Sequence, residues 1–277
     1  MSGRIGRRFF ASLPLFLLAG PLGIARAAEP RSSGPARGTL LIVGGGTNSI
    51  PVIEAAQRAA GGQGARWVVI PSAQTDRQLE DPKVPEFVRE TRNFTILHTR
   101  DRAVANSEAF IAPLLRATAV WFDGGRQWRL ADTYGETRTE RALYELLARG
   151  GLIAGSSAGA SIMGSFLMRG SPSGNEILMA PGHERGFGFL RNVAIDQHIG
   201  TRNREADLAR VVAAHPGLLG IGIDEGTAIL VEGNVFTVAG PSIVAITDGA
   251  MHQGRPYYLL RHGARFDLAT WSVSPAS

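Results

Sequence analysis

Residues 150–163 are Gly150-Gly-Leu-Ile-Ala-Gly-Ser-Ser-Ala-Gly-Ala-Ser-Ile-Met163, which is the pattern of a strand, a sharp turn and a helix. Within them, Gly155-Ser-Ser-Ala-Gly159 fits the G-x-S-x-G motif, in which a serine lies on a strained strand-to-helix turn. Small neighbours are needed there because a larger side chain would collide with the flanking strand or helix. The motif predicts that Ser157 is a nucleophile; the alternative is an ordinary turn rich in glycine and serine.

Backbone N–H groups near this turn are candidates for binding an oxyanion. The turn leaves the N–H of Ala158 free at the N-terminus of the predicted helix. A second candidate lies in Phe122-Asp-Gly-Gly-Arg-Gln127, which follows a predicted strand at 119–122. Its two glycines allow the backbone at Gly125 to approach a substrate, and Gln127 offers both a donor and an acceptor. An ordinary glycine turn remains the alternative for this segment.

Strands and helices alternate through most of the chain, which predicts an α/β fold with a doubly wound, mostly parallel sheet and right-handed crossovers. Ligands bind such sheets at the carboxyl ends of the strands. Short β segments after residue 226 predict a C-terminal antiparallel β extension on the same domain. The predicted strands are 38–43, 67–70, 94–97, 119–122, 152–154, 193–198, a strand that ends in 220–226, 227–231, 235–238, 242–246 and an additional edge strand at 257–260. The predicted helices are 50–60, 84–91, 107–115, 133–149 and a helix that begins in 201–210.

The N-terminus has the pattern of a secretory signal peptide. Three arginines precede an apolar stretch at 9–24, and Ala25-Arg-Ala27 provides a small-x-small cleavage site. A signal peptide is therefore predicted at 1–27, and the protein is expected to be exported to the periplasm or the extracellular space. A retained membrane anchor is the alternative, but the stretch is short for a span and contains two prolines. Arg7-Arg8 fits the twin-arginine signal only in part, so the export route stays open.

Composition bounds the organisation of the rest. A length of 277 residues with 44% hydrophobic content is enough for one α/β domain, expected at 38–277, after a flexible lead-in at 28–37. The leader holds four of the 29 basic residues and none of the 24 acidic ones, so the mature chain is nearly neutral. It lacks the charge that nucleic-acid binding requires, and no membrane contact is expected after signal removal. The absence of cysteine excludes disulfides, thiolate metal sites and a thiol nucleophile.

A base and an acid follow two later strands. Val193-Ala-Ile-Asp-Gln-His198 ends in the histidine that is the best candidate among six for a general base. Gly220-Ile-Gly-Ile-Asp-Glu-Gly226 ends a further strand with two adjacent acids. Because successive strand residues point to opposite faces, Asp224 and Glu225 cannot both orient the imidazole. The pattern alone does not say which of them does.

Several other polar segments have both a functional and a simpler structural interpretation. Arg202 and Arg204 are predicted at the start of a helix, where cations oppose the helix dipole. Binding of a substrate carboxylate explains them, and a solvated helix face is the alternative. The turn Gly44-Gly45-Gly46 lacks the third glycine of a dinucleotide motif, so it predicts a tight turn rather than a nucleotide site. The histidines show no metal-ligand spacing, and neither a metal nor a cofactor is expected. The loop-like segment 166–190 is long enough to cover a site.

Taken together, three motifs resemble the cyanophycinases and their relatives among the serine exopeptidases, which include aspartyl dipeptidases. The motifs are Gly155-Ser-Ser-Ala-Gly-Ala160, Asp196-Gln-His198 followed by Arg202 and Arg204, and Gly222-Ile-Asp-Glu225, and the similarity covers about residues 38–270. The resemblance implies a class I glutamine amidotransferase-like fold, a Ser-His-Glu triad, a peptide substrate with aspartyl units and, by this route only, a homodimer.

The resemblance also implies a role for each matching residue. Ser157 would be the nucleophile, His198 the general base and Glu225 its partner, with backbone oxyanion donors at Ala158 and Gly125. The residues expected to contact the aspartyl unit of the substrate are Gln127, Asp196, Gln197, Arg202 and Arg204.

The implied reaction is hydrolysis of cyanophycin to β-aspartyl-arginine dipeptides, and another α- or β-aspartyl peptide is the alternative substrate. Two departures bear on this choice: Asp207 occupies the family's third arginine position, and Thr47-Asn48 replace a residue that is commonly acidic in cyanophycinases. A catalytically silent binding module would require a broken triad. A carboxylester hydrolase would usually have its acid before its histidine, whereas the order here is reversed.

Overall fold

The computed structural model describes Met1, Gly3 and residues 31–46 and 49–274. Apart from Met1 and Gly3, the predicted signal peptide at 1–27 lies outside the described residues. Thr47 and Asn48, which depart from the cyanophycinase pattern, also lie outside them.

Within the described residues, one sheet has nine strands. They are β1 Thr39–Val43, β2 Trp67–Ile70, β3 Phe94–Ile96, β4 Ala119–Phe122, β5 Leu152–Ser156, β9 Ala228–Glu232, β10 Val235–Ala239, β13 Arg265–Asp267 and β14 Ser272–Ser274. The first five strands in the chain pair in parallel, and the four later strands extend the sheet beyond the central β1 in antiparallel fashion, in the order β14-β13-β10-β9-β1-β5-β4-β2-β3.

A second sheet of five strands carries the two remaining candidate motifs. Its order is β12-β11-β8-β7-β6, with parallel pairing from β6 through β8 and antiparallel pairing from β8 onward. The strands are β6 Gly164–Phe166, β7 Leu190–Gln197, β8 Leu219–Ile223, β11 Val244–Thr247 and β12 Tyr258–Leu260. The α/β class, the parallel core and the C-terminal antiparallel extension are confirmed, whereas the division into two sheets is not visible in the sequence pattern.

The helices lie between the strands, as the alternation in the sequence predicts. Those of the described residues are α1 Ile50–Ala60, α2 Asp76–Leu79, α3 Glu86–Arg89, α4 Arg102–Ala105, α5 Glu108–Arg116, α6 Gln127–Tyr134, α7 Arg138–Ala148, α8 Ala158–Ser161 and α9 Asp207–Ala214. None of the described helices is both long and apolar enough to cross a membrane.

Both faces of the central parallel strands β1, β2, β4 and β5 are buried, which explains their nearly continuous apolar sequences. Leu41 and Val43 of β1 face a core that also contains side chains of α1 and α3. Leu40 and Ile42 face the opposite way, into a larger core shared with α5, α6, α7 and the five-stranded sheet. The outer face of the smaller sheet packs on α9 through a third set of apolar side chains.

Two predicted helices differ from those in the structure. The helix predicted at 133–149 is the end of α6 followed by α7, because Gly135 and Glu136, at a φ of 62°, interrupt it and Thr137 caps the second helix. The helix predicted to begin within 201–210 starts only at Asp207. The residues before it form turns, in which Asn203 has a φ of 52° that a helix does not accommodate.

The middle of the predicted flexible lead-in is packed on the domain. Ser32 and Ser33 are buried. Ser33 exchanges two backbone hydrogen bonds with Arg191, and the Ser32 hydroxyl donates to the Asn192 carbonyl and accepts from the indole N–H of Trp271. Serine hydroxyls that make such bonds tie the chain to the fold, a role that composition alone does not reveal.

Candidate active site

Ser157 lies on a strained turn between β5 and α8. Its backbone φ of 56° and ψ of −113° fall in a region that residues other than glycine rarely adopt, and this conformation costs about 1–3 kcal/mol. Small residues are required on both sides. A Cβ at position 155 would lie 2.6 Å from the Gly159 carbonyl oxygen, and one at 159 would lie 2.3 Å from the Phe122 carbonyl oxygen. The glycine pattern thus allows the turn to hold Ser157 at the carboxyl end of β5.

His198 joins Ser157 to Glu225. It follows β7, and its Nε2 lies 2.9 Å from the Ser157 Oγ, while its Nδ1 lies 2.5 Å from the Glu225 Oε1. In the tautomer with the proton on Nδ1, the imidazole donates to the carboxylate and accepts from the serine hydroxyl. The serine belongs to the nine-stranded sheet, whereas the histidine and the acid follow strands of the other sheet.

The two adjacent acids have different environments. Asp224 accepts hydrogen bonds from the Thr201 N–H and hydroxyl, at 2.9 and 3.0 Å, and from the Ser242 hydroxyl at 2.6 Å. Burial raises the pKa of the Asp224 carboxyl, but these bonds outweigh that effect and leave the pKa below its ordinary value. Asp224 thus fastens three chain segments together, and it is the Glu225 carboxylate that reaches the imidazole.

The pKa of His198 lies below its ordinary value of 6.5. Burial of the ring is the main cause, and the nearby positive charges of Arg202 and Arg204 act in the same direction. The hydrogen bond and negative charge of Glu225 partly offset this by raising the pKa. The imidazole is therefore neutral at neutral pH, as a proton acceptor for Ser157 must be.

Two backbone segments flank the serine as the sequence predicts for oxyanion donors. Ala158 is the first residue of α8, so its N–H has no acceptor within the helix. On the other side, a Cβ at Gly124 would lie 3.3 Å from the Ser157 Cβ and 3.7 Å from its Oγ. The next residue, Gly125, has a φ of 141°, and a Cβ there would lie 2.2 Å from the Ala73 carbonyl oxygen. Only glycine fits this approach.

Two of the five residues expected to contact substrate, Gln127 and Asp196, are buried. Both are hydrogen-bonded to the segment between β6 and β7, which is here called the 167–189 loop. The Gln127 Nε2 donates to the Met168 carbonyl at 3.0 Å. Both carboxylate oxygens of Asp196 accept from the Arg169 guanidinium, at 3.0 and 3.1 Å. The structure therefore joins these two side chains to the loop.

The other three expected contacts lie around His198. Gln197 and Arg204 are at most 9% exposed, and each has a polar atom without a hydrogen-bond partner among the described residues, namely Oε1 and Nη1. The Arg204 Nη2 pairs with the exposed carboxylate of Glu176 at 2.9 Å. Arg202 is exposed. Buried polar atoms without partners are rare, and they suit a site that a polar ligand completes.

Arg169 is the residue that sequence reasoning missed. Its side chain is 1% exposed, it has a φ of 56°, and it pairs with Asp207 at 2.5 Å as well as with Asp196. Asp207 could have indicated such a residue from the sequence, because a partly buried acid at the position of an expected arginine needs a positively charged partner. Asp207 is thus ion-paired within the protein, although it shares its counter-charge with Asp196.

Among the described residues, no group of three or more histidine, cysteine, aspartate or glutamate side chains is arranged to hold a metal ion. The contacts of the site suit nucleophilic attack by Ser157, with His198 placed to accept its proton and Glu225 placed to stabilise the imidazolium.

Comparison with known proteins gives a consistent result. Residues 40–239 match peptidase family S51. The chain is 30% identical to the cyanophycinase of Geminocystis herdmanii, in an alignment that covers 84% of this chain and 95% of that protein. It is 33% identical to the cyanophycinase of Synechococcus elongatus, over 76% of this chain and 68% of that protein.

Solved structures show the same fold. A peptidase from an acI-B1 actinobacterium superposes with a TM-score of 0.67 and 24% identity, over 83% of this chain and 97% of its own. A putative peptidase E protein from Listeria monocytogenes superposes with a TM-score of 0.54 and 16% identity, over 75% of this chain and all of its own. The chain therefore belongs to peptidase family S51, and it is a serine-type peptidase.

Proposed function

We propose that this chain hydrolyses aspartyl peptide bonds with Ser157 as nucleophile, His198 as general base and Glu225 as the partner of His198. The observation that carries the proposal is the pair of contacts made by one imidazole, 2.9 Å to the serine hydroxyl and 2.5 Å to the glutamate carboxylate. A neutral histidine held between a hydroxyl and a carboxylate is the arrangement that activates a serine for acyl transfer.

In the proposed reaction, His198 accepts the Ser157 proton as Oγ attacks the amide carbonyl. The backbone N–H groups of Ala158 and Gly125 stabilise the oxyanion that forms. Protonated His198 then donates its proton to the leaving amine, and the acyl-enzyme remains on Ser157. Water repeats the cycle with His198 as base, which releases the acid product and restores the serine. Glu225 stabilises the imidazolium in both halves of the reaction.

The proposed pocket for the aspartyl unit lies beside His198. Gln197 and Arg204 offer the polar atoms that lack partners among the described residues, and Arg202 adds a second positive charge. Guanidinium groups bind carboxylates through charge-assisted hydrogen bonds, which favours a substrate with a free or side-chain carboxylate. Gln127 and Asp196 act on this pocket through the 167–189 loop that they hold.

The proposed substrate is cyanophycin, which would be cut to β-aspartyl-arginine dipeptides. The similarity to cyanophycinases over most of the chain supports this choice. The Asp207 carboxylate, paired with Arg169, is the feature that favours a different α- or β-aspartyl peptide instead. The single positive charge of Arg169 is shared with Asp196, so it offsets the negative charge of Asp207 only in part.

The test uses the mature protein from Ala28 onward beside its Ser157→Ala variant, with insoluble cyanophycin and a panel of α- and β-aspartyl dipeptides. Products are followed by mass. Release of β-aspartyl-arginine by the wild type alone would support the proposal in full, and the variant should lose turnover by about 10⁴-fold or more while its melting temperature stays near that of the wild type. If only another aspartyl peptide is cleaved, that peptide class replaces cyanophycin as the proposed substrate. Retained activity in the Ser157→Ala variant would contradict Ser157 as nucleophile. Cleavage of aryl esters but of no amide would indicate a carboxylester hydrolase.

We also propose that the protein is exported, with cleavage after Ala27. The basic, apolar and small-x-small segments of residues 1–27 support this. Expression of the full chain in a Gram-negative host, followed by fractionation and intact mass, tests it. A periplasmic species that begins at Ala28 is expected, whereas a full-length product in the cytoplasm or the membrane fraction would contradict the proposal.

A further inference from the structure

Three successive carbonyl groups at the end of β1 accept hydrogen bonds from the three chain segments that carry the proposed triad. The Val43 carbonyl accepts from the Ser157 N–H at 3.0 Å, and the Gly44 carbonyl accepts from the His198 N–H at 3.0 Å. The Gly45 carbonyl accepts from the N–H of Gly226, the residue after Glu225, at 2.7 Å. One turn therefore fixes the backbone at all three positions.

This turn also connects the two sheets at the site. Ser157 follows β5 of the nine-stranded sheet, whereas His198 and Glu225 follow β7 and β8 of the smaller one. The end of β1 is in contact with both groups, so the distance between serine and histidine depends on its conformation. Hydrogen bonds to backbone carbonyls transmit such positions with little freedom.

Gly45 touches the side chains of the triad as well as the backbone. A Cβ at this position would lie 2.3 Å from the His198 Cε1, 2.4 Å from its Nδ1 and 3.0 Å from the Glu225 Cγ. These separations are far inside van der Waals contact, so any side chain larger than hydrogen would push the imidazole away from its present place. The φ of 156° at Gly45 adds backbone strain to such a substitution. The neighbouring Gly46 differs, because the nearest atom to a Cβ there, among the described residues outside its chain neighbours, would be the Gly226 nitrogen, 3.8 Å away.

We propose that Gly45 is a positioning residue, whose missing side chain lets the His198 and Glu225 side chains meet in line with Ser157. The proposal rests on the proposed triad, and it adds the requirement that position 45 has no side chain. Displacement of a catalytic group by about 1 Å costs about 10²-fold in rate. Gly45→Ala is therefore expected to lower kcat by about 10²-fold, with KM changed much less.

Gly46→Ala is the matched control. It places the same methyl group one residue further along the same turn, at a φ of 65°, where no atom of the described residues outside its chain neighbours would lie nearer than 3.8 Å. It should keep kcat within about 5-fold of the wild type, since a single alanine in the left-handed region strains the backbone only locally. Equal losses in the two variants would show that the turn responds to any added side chain, which would overturn the special role of Gly45.

Two readouts do not depend on the natural substrate. The downfield proton resonance of the His198 Nδ1–H reports the bond to Glu225, and the rate of labelling of Ser157 by a fluorophosphonate reports its activation. Both should be retained in Gly46→Ala and lost or strongly slowed in Gly45→Ala. These measurements separate the inference from the proposed substrate, because they hold even if no aspartyl peptide is cut. An unchanged resonance and labelling rate in Gly45→Ala would overturn the proposal.

A double variant covers the case in which Gly45→Ala does not fold. His198→Ala removes the ring that the new methyl group would strike. The Gly45→Ala, His198→Ala protein should therefore fold, with a melting temperature below that of His198→Ala by no more than the strain of an alanine at a φ of 156°. A double variant that still fails to fold would place the cost in the backbone of the turn and would also overturn the proposal.

Discussion

At the scale of single residues, two neighbouring carboxylates have separate tasks because their hydrogen-bond partners differ. Asp224 is 8% exposed and accepts from Thr201 and Ser242, whereas Glu225 is bonded to the imidazole. A carboxylate whose lone pairs are occupied by structural donors is poorly placed to stabilise an imidazolium. The contacts of each acid therefore predict how its removal affects activity and stability.

Glu225→Gln and Asp224→Asn test this division. Glu225→Gln should lower kcat/KM by about 10²–10⁴-fold with little change in stability, because the imidazolium loses its counter-charge. Asp224→Asn should leave kcat/KM within about 10-fold but reduce the free energy of unfolding by about 1–3 kcal/mol, since buried donors lose a charged acceptor. Steady-state kinetics and urea unfolding of both variants give the comparison. The opposite ranking in kcat/KM would assign the acid to Asp224.

The lowered pKa of His198 predicts the acid limb of the pH profile. The base acts when neutral, so kcat/KM should fall only as pH drops through a pKa below 6.5. Arg202→Gln removes a positive charge that lowers the pKa and should move the limb to higher pH. Glu225→Gln removes the group that raises it and should move the limb to lower pH. Profiles of the three proteins provide the check, and shifts in the same direction would contradict the electrostatic account.

At the scale of elements, the 167–189 loop is fixed by contacts with β7, with α9 and the turn before it, and with the segment before α6. The Arg169 guanidinium lies between Asp196 of β7 and Asp207 of α9, and Arg126 donates to the Ser171 carbonyl at 2.7 Å. Glu176 reaches Arg204 from the same loop. These contacts order a long segment beside the proposed pocket, where loops often regulate access.

Glu176→Gln tests whether the loop competes with substrate for Arg204. The Glu176 carboxylate is 85% exposed, so its ion pair with Arg204 is worth little in stability. If a substrate carboxylate binds the same guanidinium, removal of the competing charge should lower KM by about 2–5-fold with kcat unchanged. Glu86→Gln, far along the chain on the exposed side of α3, is a charge-matched control that should leave KM unaltered. A rise in KM for Glu176→Gln would instead show that Glu176 orients Arg204 for binding.

At the scale of the whole molecule, the two sheets share one core. Ile42 of β1 packs in the same buried set as Ile221 of β8 and Leu143 of α7. The site between the sheets is therefore supported by side chains of both, and separation of the sheets would expose apolar area from each. This arrangement predicts cooperative unfolding of the domain.

Urea unfolding followed by circular dichroism and by tryptophan fluorescence should give one transition with coincident midpoints. Ile42→Ala should lower the free energy of unfolding by about 2–5 kcal/mol, and Ile42→Val by about 0.5–1.5 kcal/mol, because each leaves a cavity in the shared core. Two separated transitions would show that the sheets unfold independently.

Much of the fold and of the candidate site could be predicted from local sequence patterns. The alternation of strands and helices, the G-x-S-x-G turn and the membership of a serine peptidase family are confirmed. These features depend on residues that are near each other in the chain, so periodicity and glycine spacing are sufficient to indicate them. The catalytic roles of Ser157, His198 and Glu225 stay predictions, which the observed contacts support.

Only the tertiary structure placed the sequence motifs in relation to each other. It divided the strands between two sheets, brought Glu225 rather than Asp224 to His198, paired Arg169 with Asp196 and Asp207, and set the three carbonyls of Val43 to Gly45 beneath the site. The residues in these contacts are separated by tens of positions or more in the chain, and their meeting depends on strand order and on packing in three dimensions. The amino-acid sequence thus determined which chemical groups are present and how each local turn is formed, whereas the packing of the two sheets around β1 determined which groups meet.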